Sequence, residues 1–351
     1  MQMPVKIINK TFRKLLMTNI QNLGMSLNVT SYSSDKISKA EHYQNICGRS
    51  SEHSNDIVFL KPTFDDKGRR NQETCAKQNN ILVYFGGDVQ DLTEKMEAHR
   101  DHKRYLRWSL EGTAELLSQS YPYHSVMVIR PSRMERATFS CYDNFVESNF
   151  CGAPTHLTKV SVKDTASHTY CHALLQIKAL SENMYEKIEN NDTLEDIKTT
   201  TVHNSITLIG FSKGVVVLNQ VLHDLHILLE DAQNDQKEKS KLCEFTKQIE
   251  KMIWLDGGHN GGKDTWITDE AVLETLAKKT NIKIEVKVTP YQVKDNRRPW
   301  IGQEEKRFRN ILGNKFHLWK SDRLIRNLYF EEEEANIENH FRILTTLGCD
   351  K

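Results

Sequence analysis

The stretch Ser205-Ile-Thr-Leu-Ile-Gly-Phe-Ser-Lys-Gly-Val-Val-Val-Leu-Asn-Gln220 decides the fold of this chain. It reads as a strand over Ser205–Ile209, a Gly-x-Ser-x-Gly turn over 210–214 and then an apolar helix. Such a turn strains the backbone of its serine, Ser212, and the flanking glycines let strand and helix approach closely. The hydroxyl then stands at a helix N-terminus, where free N–H groups favour developing negative charge. The strand and helix context, more than the common pentapeptide, predicts a nucleophile elbow.

Short β-rich runs alternate with helical patterns along most of the rest of the chain. The predicted strands are Ile57–Leu60, Ile81–Phe85, Ser125–Ile129, Ser205–Ile209, Met252–Leu255 and Ile282–Val288, with a further sheet-like region at about 316–330. The predicted helices lie near 103–119, 167–190, 213–230, 269–280 and 303–312. The alternation predicts an α/β fold with a mostly parallel central sheet and helices on both faces.

Composition limits the function classes. Lys plus Arg (48) nearly cancels Asp plus Glu (47) in the 351 residues, which argues against a general electrostatic attraction to nucleic acid. Mean hydropathy is −0.60 and no run of 18 apolar residues occurs, so no transmembrane helix is expected. The seven cysteines are odd in number, irregularly spaced and without a CxxC pair, which favours a reducing compartment over a disulfide framework or zinc site.

The first 34 residues differ from the rest, because they contain four Lys or Arg and no acid. Apolar residues recur there at helical spacing, from Val5 to Leu23. A basic amphipathic start followed by Ser- and Asn-rich sequence predicts a mitochondrial transit peptide, with a basic leader or a surface helix as alternatives. We therefore expect a disordered leader over 1–48 and a single domain over 49–351, with a charged insertion near 230–246.

A nucleophilic serine needs a base, and the base needs an orienting acid; in this architecture they follow in the order serine, acid, histidine. Asp295 lies just beyond the predicted strand at 282–288 and is the favoured acid. Asp256, at the end of the preceding strand, is the alternative. His340 follows the last sheet-like region and is the favoured base, and His259 is its alternative.

The sequence also predicts an oxyanion hole. The strand at 81–85 opens into Gly86-Gly87-Asp88, where the backbone N–H of Gly87 or Asp88 is expected to face the substrate oxygen. The second donor would be the N–H of Lys213, directly after the nucleophile. The Lys213 side chain is expected either to face solvent or to stabilise an anionic group.

At these motifs the chain resembles the mitochondrial α/β-hydrolase-like family of the human chromosome 2 open reading frame 69 protein. The segments that carry the resemblance extend over nearly the whole body: ILVYFGGDVQ (81–90), IRPSRM (129–134), FSCYDNFVESNFCGAP (139–154), GFSKGVVVLNQ (210–220), WLDGGHNGG (254–262), VTPYQVKD (288–295), RPWIG (298–302) and IENHFR (337–342).

The resemblance implies an esterase- or lipase-like α/β-hydrolase fold, a mitochondrial matrix location and a link to respiratory-chain function. It also implies a Ser–Asp–His triad on Ser212, Asp295 and His340. It supplies no substrate.

Three other patterns compete with this interpretation. The loop 257–264 approaches a phosphate-binding P-loop, but Asp264 stands where Ser or Thr should hold magnesium, so a glycine-rich loop near the site mouth is favoured. His168 and His172 are spaced to share a metal but lack a third ligand, which favours an exposed helix face. The irregular segment 139–154 is expected to be a lid, a pocket wall or packing over the sheet edge.

Two hypotheses follow. The first is a serine hydrolase that cleaves an ester, thioester or similar bond in a small or lipid-like acyl substrate, with no cofactor or metal. The second is a non-catalytic α/β-hydrolase fold that serves as a binding or scaffold protein. The intact set of site residues favours the enzyme.

Overall fold

The computed structural model describes residues 39–62, 80–158, 171–191, 205–230 and 236–348. Within these ranges twelve strands occur, eight of which form the central sheet. The eight are β1 (Glu41–Cys47), β2 (Ser54–Leu60), β3 (Asn80–Phe85), β4 (Ser125–Ile129), β9 (Ser205–Phe211), β10 (Ile249–Leu255), β11 (Lys283–Val288) and β12 (Leu324–Leu328). The other four pair in two small hairpins, β5 (Arg133–Glu135) with β6 (Phe139–Cys141) and β7 (Glu147–Ser148) with β8 (Pro154–Thr155).

The sheet order is β1-β2-β4-β3-β9-β10-β11-β12. Only β2 runs against its neighbours, pairing antiparallel with both β1 and β4, and every pair from β4 to β12 is parallel. The carboxyl ends of β3, β9, β10 and β11 therefore meet at one edge, where ligand sites of such sheets are found.

Helices cover both faces of this sheet. In the described ranges the α-helices are α1 (Thr93–Ala98), α2 (Leu110–Ser120), α3 (His172–Asn191), α4 (Val215–Glu230), α5 (Gln236–Lys247), α6 (Glu270–Lys279), α7 (Pro290–Val293), α8 (Pro299–Asn310) and α9 (Ile337–Arg342). One buried apolar cluster lies under α3, α4, α6 and α8, and a second lies under α2, α9 and residues 343–347. The parallel strands are buried on both faces, as their lack of polar alternation predicts.

The predicted fold class is confirmed: this is an α/β-hydrolase-like fold, with a mostly parallel sheet between two helical layers. Each of the six predicted strands has a counterpart. The sheet-like region at 316–330 contains only the short strand β12, because a π-helical turn ends at Lys315 and a loop occupies 316–323.

The expected domain boundary at residue 48 differs from the structure. Strand β1 (Glu41–Cys47) lies within the expected leader, yet it pairs with β2 and buries Ile46 to 3% exposure. The folded domain thus includes residues before 49, while the leader before residue 39 lies outside the described residues.

The charged insertion near 230–246 is mainly helical, because α5 occupies Gln236–Lys247. Among the described residues, no helix has the length and apolar character needed to cross a membrane.

Candidate active site

The elbow forms where β9 ends. Ser212 has φ of +52°, in the left-handed region that serine rarely adopts, and it begins a short helical turn that continues into α4. A Cβ on Gly214 would lie 2.0 Å from the carbonyl oxygen of Phe85, so only glycine lets this turn approach β3 so closely. The strain and the close approach are the features that the Gly-x-Ser-x-Gly pattern predicts.

An Asp–His pair lies beside the elbow. The Nδ1 of His340 is 2.7 Å from Oδ2 of Asp256, and both side chains are buried. Asp256 also accepts hydrogen bonds from the backbone N–H and the hydroxyl of Thr289, each at 2.6 Å. A histidine that donates from Nδ1 to an ionised carboxylate carries its lone pair on Nε2, where it can accept a proton.

The structure brings His340 to Asp256 and not to Asp295, the favoured acid of the sequence prediction. Asp295 accepts instead from the guanidinium of Arg298 at 2.9 Å and from the backbone N–H of Arg297 at 2.9 Å. These N–H bonds hold the pKa of Asp295 below its usual value, against the effect of burial. Asp295 thus closes a turn before α8, and the geometry favours the alternative acid.

Aromatic rings fix the plane of the imidazole. Phe211 stacks on the His340 ring with centroids 4.6 Å apart, and Tyr291 contacts it at 4.9 Å. Because Phe211 directly precedes Ser212, the stacking places the imidazole next to the elbow. Within the described part of the chain, no hydrogen bond joins the Ser212 hydroxyl to His340.

The loop after β3 contains a backbone amide that has no hydrogen-bond partner among the described residues. The Gly87 N–H donates to Oε1 of the buried Gln90 at 2.9 Å and is therefore occupied. The Val89 N–H donates to the Thr138 carbonyl at 2.8 Å. Between them, the Asp88 N–H has no hydrogen-bond partner among the described residues. Of the two predicted donors in this loop, the geometry thus favours Asp88 over Gly87.

The Lys213 side chain is buried, contrary to a solvent-facing position. Its Nζ lies 3.0 Å from Oδ1 of Asp88 and donates to the carbonyl of Cys151 at 2.6 Å. It also lies 4.9 Å from the ring centroid of Phe139. The ammonium therefore binds groups of the protein itself and does not reach a substrate group directly.

His259, the alternative base, has different surroundings. Its Nδ1 accepts from the Gly261 N–H at 2.9 Å, and in the described ranges no carboxylate bonds its ring. Burial lowers the pKa of His259 to about 4, which keeps the ring neutral and a weak base. The glycine-rich loop around it lies beside the elbow, where Gly258 donates to the Ser212 carbonyl, and the next helix begins only at Glu270. A P-loop needs a helix directly after it.

The segment 139–154 forms a wall beside the elbow through β6 and the β7–β8 hairpin. The Ser140 hydroxyl donates to the Gly87 carbonyl at 2.7 Å, and the Tyr142 hydroxyl donates to that of Gly86 at 2.9 Å.

His172 starts α3, whereas its proposed metal partner His168 lies outside the described residues. No group of three metal-ligating side chains occurs among the residues that the structure describes.

Sequence reasoning missed two side chains of the site. Thr289 follows β11 directly, and a polar residue at the carboxyl end of a buried strand is a signal that could have identified it. Gln90 buries its amide against the Gly87 N–H, the Tyr84 hydroxyl and the Trp108 carbonyl. No local pattern distinguishes such a glutamine from a surface residue.

Fold and site together define an α/β-hydrolase-like protein with a strained serine beside a buried Asp–His pair. The C2orf69 family model matches residues 42–204 and 178–317. The chain belongs to the C2orf69 family, which confirms the resemblance inferred from the sequence. It is 34% identical to the human mitochondrial protein C2orf69, over 84% of this chain and 83% of that protein, and also 34% identical to the homologue of Danio rerio, over 83% and 80%.

These relatives are named mitochondrial proteins, which supports the predicted mitochondrial location. Solved structures are more distant. An acylaminoacyl peptidase of Pyrococcus horikoshii is 9% identical with a TM-score of 0.38, and 90% of this chain matches 41% of its length. A carboxylesterase of Bacillus subtilis is 7% identical with a TM-score of 0.35, over 90% of this chain and 93% of its own. The fold assignment therefore depends on the sheet order and not on these similarities.

Proposed function

We propose that this protein is a serine hydrolase in which Ser212 is the nucleophile, His340 the base and Asp256 the orienting acid. The observation that carries the proposal is the buried 2.7 Å contact between His340 and Asp256, beside a serine held at φ of +52°. A buried carboxylate that binds a histidine at a strained serine has no evident packing function, because an apolar pair would fill the same space at lower desolvation cost.

The reaction begins when Nε2 of His340 takes the proton of the Ser212 hydroxyl. The serine oxygen then forms a bond to the substrate carbonyl carbon, and the carbonyl electron pair moves to its oxygen. The N–H groups of Asp88 and Lys213 stabilise this oxyanion. Each such donor typically contributes about 3–4 kcal/mol to lowering the barrier.

The intermediate collapses when His340 returns its proton to the leaving group, and the acyl group stays on Ser212. A water molecule then loses a proton to Nε2 and attacks the acyl carbon. The bond between that carbon and the Ser212 oxygen breaks, the acid leaves, and His340 returns the proton to the serine oxygen. Throughout, Asp256 holds the imidazole tautomer and stabilises its positive charge, while the donors from Thr289 hold that carboxylate in position.

The substrate class is a small or lipid-like ester or thioester, and the reaction requires no cofactor or metal. The site of action is the mitochondrial matrix, reached through the basic leader. The link to respiratory-chain function rests on the family resemblance alone.

One observation favours the second hypothesis, a non-catalytic binding protein. The Ser212 hydroxyl and the His340 ring are not hydrogen-bonded within the described residues, as expected if the pair has only a structural function. The two hypotheses differ in whether the serine is chemically activated.

A fluorophosphonate serine probe distinguishes them. The full chain is treated with the probe at neutral pH, with Ser212→Ala and His340→Ala as variants and circular dichroism as the folding check. We expect labelling of the wild type and its loss in both folded variants. A folded wild type that stays unlabelled, or labelling that persists in Ser212→Ala, would contradict the hydrolase.

A further inference from the structure

We infer that Lys213 and Asp88 act as a positioning pair, which holds the two N–H donors of the oxyanion hole in place relative to Ser212. The inference deepens the proposed function and rests on it. The same two residues that offer backbone N–H groups also bind each other through their side chains, at 3.0 Å between Nζ and Oδ1.

The pair joins two separate parts of the chain. Lys213 belongs to the elbow after β9, whereas Asp88 belongs to the loop after β3. An oxyanion hole assembled from two such segments depends on their relative position to a fraction of an ångström. A direct bond between the side chains of the donor residues fixes that distance better than separate packing of each segment.

The loop that carries Asp88 needs external support. Val89 has φ of +75°, and a β-branched residue in this region is strained. The Asp88 carboxylate accepts from the Ser140 N–H at 2.9 Å as well as from Lys213, and the Val89 N–H donates to Thr138. These bonds hold the turn in a conformation that its own sequence disfavours, and they leave the Asp88 N–H free.

The charges of Lys213 and Asp88 stabilise each other. Lys213 has no exposed side-chain surface, so its ammonium depends on the Asp88 carboxylate and the Cys151 carbonyl. Burial raises the pKa of Asp88, and the ammonium of Lys213 opposes that rise and favours the ionised carboxylate. Without Lys213, an uncompensated carboxylate would stand next to the place where the oxyanion forms and would repel it.

The pair therefore makes a prediction that simple packing does not: removal of both charges should harm the reaction less than removal of the ammonium alone. The test compares Lys213→Met with the double variant Lys213→Met/Asp88→Asn in the full chain. The readout is the rate constant for fluorophosphonate labelling per folded molecule, separated into probe binding and the chemical step.

A matched control is Arg323→Met. Like Lys213, Arg323 is a cation that donates to backbone carbonyls, those of Leu276, Ala277 and Ile282, but it is only partly buried and lies near the amino ends of the strands. Its variant reports the effect of losing a buried cation far from Ser212, and we expect it to lower the melting temperature without changing the labelling rate per folded molecule.

We expect Lys213→Met to slow the chemical step by about 100-fold, with little change in probe binding. The double variant should regain at least about 10-fold of that loss. Labelling of Lys213→Met at the wild-type rate, or a double variant as slow as Lys213→Met, would overturn the inference while the hydrolase stands. An unlabelled wild type would instead reject the proposed function.

Discussion

At the scale of single residues, the site depends on how each polar group is held. Asp256 is fully buried and accepts three hydrogen bonds, one of them from His340. Asp295 lies after the neighbouring strand β11, and its carboxylate forms ion pairs with Arg297 and Arg298. The sequence places both acids near strand ends at the same edge of the sheet. Which of them reaches His340 depends on the turn through α7, and no local pattern encodes that turn.

A pair of amide substitutions tests this assignment. In Asp256→Asn the neutral amide has one acceptor oxygen in place of the two oxygens of the carboxylate. It therefore cannot accept from both Thr289 and His340, and the imidazole loses the partner that fixes its tautomer. We expect the labelling rate to fall by roughly 10³–10⁴-fold. Asp295→Asn is the matched control, because it disturbs only the Arg297 and Arg298 turn, and its rate should stay close to that of the wild type. The opposite ranking of the two variants would restore Asp295 as the acid.

Gly87 offers a second test at this scale. A Cβ added there would lie 2.6 Å from the Ser212 Cβ and 3.2 Å from its hydroxyl oxygen. We expect Gly87→Ala to displace the serine, abolish labelling and lower the free energy of unfolding by about 1–3 kcal/mol. Gly262→Ala serves as the control, because nothing lies within 4 Å of its added Cβ. Both variants are compared by fluorophosphonate labelling and by unfolding in urea. Equal labelling of the two would show that the loop does not contact the nucleophile.

At the scale of elements, the strands of the parallel core could be predicted because their apolar runs are continuous and bounded by polar turns. Strand β1 could not, since six of its seven residues are not buried and its sequence, EHYQNIC, has no apolar alternation. Helices α1, α7 and α9 are only four to six residues long, too short for helical periodicity to appear. The nucleophile, the base and the loop after β3 could be predicted because each follows a strand or sheet-like region in the sequence. The pairing of Lys213 with Asp88 could not be predicted, because it depends on tertiary contacts.

The junction of α3 and α4 contains a buried acid, Asp224, which accepts from the Leu174 N–H at 3.0 Å and from Gln220 at 2.8 Å. Burial raises the pKa of Asp224 to about 7 from an ordinary 3.8. Between pH 3.8 and about 7, the Asp224 carboxyl is therefore protonated in the folded protein and ionised in the unfolded chain. The free energy of unfolding should fall as pH rises from about 4 to about 7, by roughly 4 kcal/mol at most from this group.

Unfolding in urea at several pH values, on the wild type and on Asp224→Asn, measures this effect. Since asparagine does not titrate, the wild type should lose stability relative to the variant as pH rises through this interval. A difference between the two proteins that stays constant with pH would contradict the raised pKa.

At the scale of the whole molecule, the sheet brings together groups far apart in sequence. Asp256 and His340 are 84 positions apart, yet their side chains meet because α9 packs on α7, the short helix after β11, and β11 lies next to β10 in the sheet. Four strand ends contribute to one site, so the site can exist only when β3, β9, β10 and β11 are paired in the sheet. This assembly makes the stability of the sheet edges relevant to function.

The contribution of β1 can be measured by comparing two shortened chains. A chain that begins at Lys39 keeps β1, whereas one that begins at Arg49 loses it and exposes the edge of β2. Because β1 buries Ile46 and pairs along β2, we expect the shorter chain to melt several degrees lower in a thermal scan. Equal melting temperatures would mean that β1 adds little to the domain.

Whether Ser212 is an activated nucleophile can be measured by locating the adduct of a fluorophosphonate on the full chain. The treated protein is digested, and the modified peptide is identified by mass spectrometry. We expect one modified site, on Ser212 within the segment 205–220, and none after prior unfolding in urea. A folded chain without an adduct, or with the adduct on another residue, would contradict it.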